Sequence, residues 1–442
     1  MTLGRIFRMG VLIGTVISCN EGNDTSPDTG GDTTTDSDSS SGKPSGECDV
    51  DAVMPSADEL TEDLNLPDPF VKLDGNRITD KSEWGCRRQE ILRLGYEFIY
   101  GEMPETPSEV SGTVSESSIT VSVTEGESTS FNASVEMPSA GDTPYPAVIG
   151  FGGGFFGLNG DLKSILSSQG VAVINFDPYQ VGEENGGGPG TQGSGGFYDV
   201  YGADHPAGLL TAWAWGVSRL IDVIEEDGEL FDATRIGVAG CSRFGKAAFI
   251  AGAFDTRVAL TVPIESGIGG TPALRLVPRI DNYSGSEQPK HAVSYQPWLS
   301  PSLFYQFVAL KDGTPRLPID THEIMGLVAP RGLLILDNPS RDYPGLDINS
   351  AYVAAVAGSR IFEALGVSDN ITYQGASGGH CAWRSRYTDP LIANIEKFLL
   401  GDTSAATGTF ETDREEVDAE DYIEWTVPEL TGELDSAYEN NR

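Results

Sequence analysis

Residues 234 to 250 read Thr-Arg-Ile-Gly-Val-Ala-Gly-Cys-Ser-Arg-Phe-Gly-Lys-Ala-Ala-Phe-Ile, and this pattern decides the fold class. A short apolar run from Ile236 to Ala239 breaks at Gly240 and resumes after Gly245 with helical spacing, which predicts strand, tight turn and helix. Ser242 falls in the turn. A serine held on a sharp strand-to-helix turn exposes its hydroxyl above the sheet edge, where N–H groups opening the helix can stabilise a developing oxyanion. Gly240, Gly245 and Lys246 also match most of a phosphate-binding loop, but Ala247 stands where that loop needs a magnesium-binding hydroxyl. A glycine-rich turn with an idle serine is the plainer alternative, so the flanking chain has to decide.

Upstream, Ser111 to Glu136 alternates and is rich in Thr, Val and Ser, as in antiparallel strands with one wet face. Tyr145 to Gly150 is an apolar strand running into Phe151-Gly152-Gly153-Gly154-Phe155, whose backbone can approach a ligand closely and complete an oxyanion hole. Val171 to Phe176 is a further buried strand, and Ala207 to Ile224 has the spacing of a core-facing helix in which Trp213 and Trp215 are packing residues. Downstream, Ala259 to Ile264 is a strand ending at Glu265, and Gly332 to Leu336 a strand delivering Asp337 and, after a turn, Asp342. Ile371 to Tyr373 leads to Gly378-Gly379-His380-Cys381, and residues 389 to 400 form a closing helix. Strands and helices alternating in this order predict an α/β chain with a doubly wound, mainly parallel sheet.

The start of the chain has its own grammar. Arg5 and Arg8 precede a short apolar stretch and Val16-Ile17-Ser18-Cys19, which reads as a lipoprotein signal over residues 1–19 with lipidation at Cys19. Residues 20–47 are almost entirely Ser, Thr, Asp, Gly and Pro, a composition that cannot form a core. Such a tether of about 28 residues reaches roughly 30 Å. Residues 48–442 are expected to form one domain with an acidic extension from about residue 402, in which Tyr422 to Val427 has the pattern of a terminal strand. The expected protein is exported, held at an outer membrane or cell surface only through its lipid, and monomeric. A net charge of −38 disfavours nucleic-acid partners.

Five cysteines less Cys19 leave Cys48, Cys86, Cys241 and Cys381, an even number that in an exported chain implies two disulfides with three possible pairings. No Cys/His spacing suits zinc, and His322-Glu323 starts an H-E-x-x-H motif that Gly326 leaves unfinished, so no metal site is expected. A serine nucleophile needs a base that titrates near neutrality. Of the four histidines, His380 is best placed, because it follows the serine and both candidate acids, Glu265 and Asp342, in the chain order of α/β-hydrolases.

G-C-S-R-F-G-K, P-I-E-S-G-I-G-G, F-Y-D-V-Y-G followed by T-A-W-A-W-G-V-S-R, A-P-R-G-L-L-I-L-D-N and G-H-C-A-W together resemble the glucuronoyl esterases of carbohydrate esterase family 15. The similarity is collinear from W-G-C-R-R near Cys86 to F-L-L-G at Gly401. The resemblance implies an α/β-hydrolase, a three-layer αβα sandwich, needing no cofactor and cleaving 4-O-methylglucuronoyl esters between glucuronoxylan and lignin alcohols. It implies Ser242 as nucleophile, His380 as base, Glu265 as orienting acid with Asp342 as the alternative, and Arg243 on the oxyanion. Lys246, Gln288 and Tyr343 would meet the sugar, and the disulfides would join Cys241 to Cys381 and Cys48 to Cys86. Phe244, Tyr343 and Tyr295 or Gln296 depart from the residues usual in fungal members, which leaves an esterase for acetyl or feruloyl groups as the alternative activity. A polysaccharide-binding lipoprotein without turnover is the alternative from another class.

Overall fold

The computed structural model describes residues 50, 54–152, 157–186, 191–281, 286–308, 313–339, 346–413 and 417–434. The expected signal and tether, with Cys48, therefore lie outside the described residues. Ten strands form one sheet: β1 Glu109–Val114, β2 Ser118–Glu125, β3 Glu127–Glu136, β4 Tyr145–Phe151, β5 Ala172–Phe176, β6 Phe231–Cys241, β7 Val258–Ile264, β8 Gly332–Asp337, β9 Ile371–Gly375 and β10 Phe410–Glu411. Their spatial order is β1-β2-β3-β5-β4-β6-β7-β8-β9-β10. The first three strands pair antiparallel and meet β5 antiparallel, whereas every pair from β5 and β4 through β10 is parallel.

Burial follows from that topology. β2 and β3 alternate buried and exposed residues, so one of their faces is wet, while β7, β8 and β9 are buried at every position. Successive residues of β4 and β5 enter two separate apolar clusters. Ala147, Ile149, Ala172 and Ile174 pack with the helices Leu209–Asp227, Arg243–Phe254 and Ile348–Leu365, whereas Val148 and Val173 pack with Gly160–Ser168 and Thr388–Phe398. The side-chain period of two thus divides one sheet between two helical layers, giving the three-layer αβα sandwich of an α/β-hydrolase. Trp213 and Trp215 are fully buried packing residues, and the Trp213 indole N–H donates to the Gly182 carbonyl at 2.8 Å.

The elbow is tighter than the apolar spacing predicts. The helix starts at Arg243, not after Gly245, and Ser242 alone forms the turn at φ 60°, ψ −128°. Two glycines make this possible: a Cβ at Gly240 would lie 2.3 Å from the Phe244 carbonyl oxygen, and one at Gly245 would lie 2.6 Å from that of Ile264. Helix and neighbouring strand are thereby drawn together at backbone distance, and the Ser242 N–H donates to Ile264 O at 2.9 Å.

The C-terminal expectation is corrected. Tyr422 to Val427 adds no strand; the terminal strand is β10, parallel to β9. Trp425 instead packs edge-on to Phe70 and stacks on His322, with its indole N–H donating to Leu66 O at 3.0 Å. Burying one large ring with its polar atom satisfied outweighs a ladder of solvent-facing residues. His322 is fully buried, and that burial lowers its pKa to about 4, so it is a neutral core residue. Among the described residues no helix is long and apolar enough to cross a membrane, and no group of His, Cys, Asp and Glu is placed to hold a metal ion.

Gly245→Ala is expected to destabilise the fold by about 1–3 kcal/mol, because the added methyl meets backbone that cannot rotate away. The urea midpoint of the variant against the parent measures this; an unchanged midpoint would contradict the close approach.

Candidate active site

Three sheet elements deliver the site. β6 ends at Cys241 and is followed at once by Ser242, β7 is followed at once by Glu265, and the loop after β9 carries His380 and Cys381. Four described residues other than glycine have positive φ, and Ser242, Glu265 and Cys381 are three of them, at 60°, 46° and 58°. Backbone strain of this kind persists where the surroundings hold it and concentrates at functional sites. The Cys241–Cys381 disulfide spans 140 residues and joins the chain just before Ser242 to the chain just after His380.

Glu265 is buried and its carboxylate is shared. Oε2 accepts from His380 Nδ1 at 2.8 Å and from the Cys381 N–H at 3.0 Å, while Asn338 Nδ2 lies 3.5 Å away. Oε1 pairs with the Arg384 guanidinium, which also donates to the carbonyls of Gly379 and Ala382. With Nδ1 committed to a carboxylate, Nε2 is the basic nitrogen of His380. Ser242, Arg243 and His380 line one cavity of about 580 Å³, with Leu158, Trp383 and Tyr387 among its apolar walls. A smaller polar recess beside it is lined by Ser242, Lys246, Glu265, Glu287 and Trp298.

Lys246 is buried, with Nζ donating to Ser266 O at 2.5 Å, 3.8 Å from Glu287 and 4.8 Å from the Trp298 ring centroid. Burial lowers its pKa, an effect the Glu287 carboxylate opposes. Arg243 pairs with Glu184; burial alone would lower its pKa, but that carboxylate outweighs it and the net shift is upward. Gln288 turns to Ser286, whose hydroxyl accepts from Nε2 at 2.7 Å, and it is the preceding Glu287 that faces the recess. Asp342, Tyr343 and Gly153 to Phe155 of the glycine loop lie outside the described residues, as do Cys19 and Cys48.

Sequence reasoning missed Glu184, Glu287, Trp298, Asn338 and Arg384. Arg384 had a faint signal, an arginine three residues beyond Cys381 in the strand-to-helix loop. Glu184 had almost none, since one carboxylate in a glycine-rich loop of an acidic chain does not stand out.

A serine on a strained strand-to-helix elbow, above a mainly parallel sheet covered on both faces by helices, defines an α/β-hydrolase. A family model described as "Glucuronyl esterase, fungi" matches residues 119–366. A 4-O-methyl-glucuronoyl methylesterase of Hypocrea jecorina is 37% identical over 384 residues, covering 86% of this chain and 79% of the relative. A mutant glucuronoyl esterase from Sporotrichum thermophile, in complex with methyl 4-O-methyl-β-D-glucopyranuronate, superposes with a TM-score of 0.76 at 36% identity, covering 84% of this chain and 97% of that one. The esterase of Caldicellulosiruptor kristjansonii gives 0.69 at 30% identity over 83% and 98%. The chain belongs to the glucuronoyl esterase family and is a carboxylic ester hydrolase.

Two outcomes follow from this geometry. Replacing both Cys241 and Cys381 by serine removes a cross-link over a long loop and is expected to cost about 2–5 kcal/mol, read as a fall in Tm together with lower activity. Asp337 is buried, which raises its pKa to about 7. Between about pH 4 and 7 the folded chain then holds a proton that the unfolded chain has released, so stability falls as pH rises through that window. Asp337→Asn should flatten this part of the stability–pH curve measured by urea unfolding; an unchanged slope would place the loss elsewhere.

Proposed function

We propose that the chain cleaves 4-O-methyl-D-glucuronoyl esters linking glucuronoxylan to lignin alcohols, with Ser242 as nucleophile, His380 as base and Glu265 as orienting acid. The observation that carries the reading is the 2.8 Å bond from a buried Glu265 to His380, which lines the same cavity as Ser242. The complex of the Sporotrichum relative with a methyl 4-O-methylglucuronate supports the substrate class.

Chemistry follows from the parts. His380 Nε2 takes the Ser242 proton as Oγ bonds to the ester carbonyl carbon, and the carbonyl oxygen becomes an oxyanion facing Arg243 and the elbow N–H groups. The imidazolium returns its proton to the departing alcohol as the carbon–oxygen bond breaks. Water, deprotonated by the same histidine, attacks the acyl carbon, and as the bond to Ser242 Oγ breaks the imidazolium returns that proton to the serine and the uronate leaves. Glu265 holds the imidazole in one orientation and stabilises its charged form throughout. Lys246 and Glu287 supply a donor and an acceptor in the recess for ring hydroxyls. Residues 1–19 and Cys19 fit a lipid-anchored exported enzyme of bacterial type, and Cys86, itself disulfide-bonded, fits a bridge to Cys48.

Initial rates of the full chain on benzyl glucuronate and on p-nitrophenyl acetate test the reading. Strong preference for the glucuronate, reduced at least roughly 1,000-fold by Ser242→Ala, is expected. Cleavage of the acetate alone would move the substrate to acetyl or feruloyl esters. Glu265→Ala is expected to lower kcat by roughly 10³–10⁴ while Asp342→Ala leaves most activity; the reverse pattern would transfer the acid's role to Asp342.

A further inference from the structure

Glu184 stands in the glycine-rich loop after β5, and its carboxylate is almost wholly buried, at 7% side-chain exposure. Three groups converge on it. Arg243 donates one guanidinium N–H to Oε2, the Tyr179 hydroxyl donates to the same oxygen at 2.9 Å, and the Trp298 indole N–H donates to Oε1 at 2.7 Å. Each of these residues also borders the reaction space: Tyr179 and Arg243 line the large cavity, and Arg243 and Trp298 line the polar recess. Arg243 further lies over the Trp298 ring, 5.7 Å from its centroid.

We propose that Glu184 is a positioning residue that fixes the Arg243 guanidinium toward the ester's developing oxyanion and locks the Trp298 wall of the recess in the same step. The proposal rests on the reading of Arg243 as an oxyanion donor. An arginine side chain has several rotatable bonds, and at 42% exposure solvent leaves Arg243 many alternatives. A guanidinium has five N–H donors in a rigid plane, so committing one to a buried carboxylate orients the others without consuming them. The carboxylate is in turn immobile because tyrosine and tryptophan N–H or O–H groups satisfy both its oxygens. Orientation set before the reaction lowers the reorganisation needed when charge appears on the carbonyl oxygen, which is where such donors act.

A double-mutant cycle on benzyl glucuronate tests this, with kcat and KM measured for Glu184→Ala, Arg243→Ala and the pair, and Glu184→Gln as the conservative variant. Loss of an oxyanion donor itself costs roughly 100- to 1,000-fold in kcat; misplacing it through Glu184→Ala is expected to cost about tenfold, with KM within about twofold. Glu184→Gln, which keeps the shape and an acceptor, should recover part of that loss, and Glu184→Ala should cost nothing further once Arg243 is alanine. Equal losses with and without Arg243, or a change confined to KM, would overturn the proposal. Should Glu184→Ala fail to fold by circular dichroism, the cycle is run with Glu184→Gln, for which the same outcomes decide. If Arg243→Ala leaves kcat unchanged, the oxyanion reading of Arg243 falls and this inference with it; a large loss there with none in Glu184→Ala removes only the positioning role.

Discussion

The structure around the candidate site depends on one buried carboxylate. Glu265 has 1% exposure, and an anion so placed is unfavourable by several kcal/mol unless its oxygens are paired. Its closest partners are the His380 ring, the Cys381 N–H and the Arg384 guanidinium, all from the loop after β9. That loop has little regular structure to hold it, so the carboxylate and the disulfide together define where His380 sits. Arg384 has a second effect, since it ties the carbonyls of Gly379 and Ala382 to the same point and closes the loop on itself.

The serine side is fixed by sterics instead. Ser242 takes a φ that side-chain-bearing residues rarely adopt, and it is kept there because Gly240 and Gly245 let the helix Arg243–Phe254 press against β7. The disulfide then couples this rigid elbow to the loop that Glu265 organises. The two constraints differ in kind, one made of backbone contact and one of charge, which explains why Ser242 and His380 can lie far apart in sequence yet share a cavity.

Much of this was legible beforehand, for identifiable reasons. The parallel strands read as apolar runs because both faces are covered, and the elbow read as a break between such a run and a helical pattern. Ser242, Glu265 and His380 stood at strand ends, where open α/β sheets place their sites. The helix starts three residues earlier than the apolar spacing predicts, because Phe244 and Gly245 look like turn and breaker, when close packing is what requires the glycine. Tyr422 to Val427 looked like a strand because alternation carries no information on whether an edge is available; Trp425 had a better place between Phe70 and His322.

By itself the sequence determined the layer architecture, the elbow and the order of serine, acid and histidine, since these arise from short-range periodicity, glycine placement and chain order. Only the tertiary structure decided which charges meet. Glu184 with Arg243, Arg384 with Glu265, and Glu287 rather than Gln288 at the recess are pairings between loops distant in the chain. Nothing local distinguishes a carboxylate that will be buried against a guanidinium from the many others in a chain of net charge −38; the sheet has to form before their distance is set.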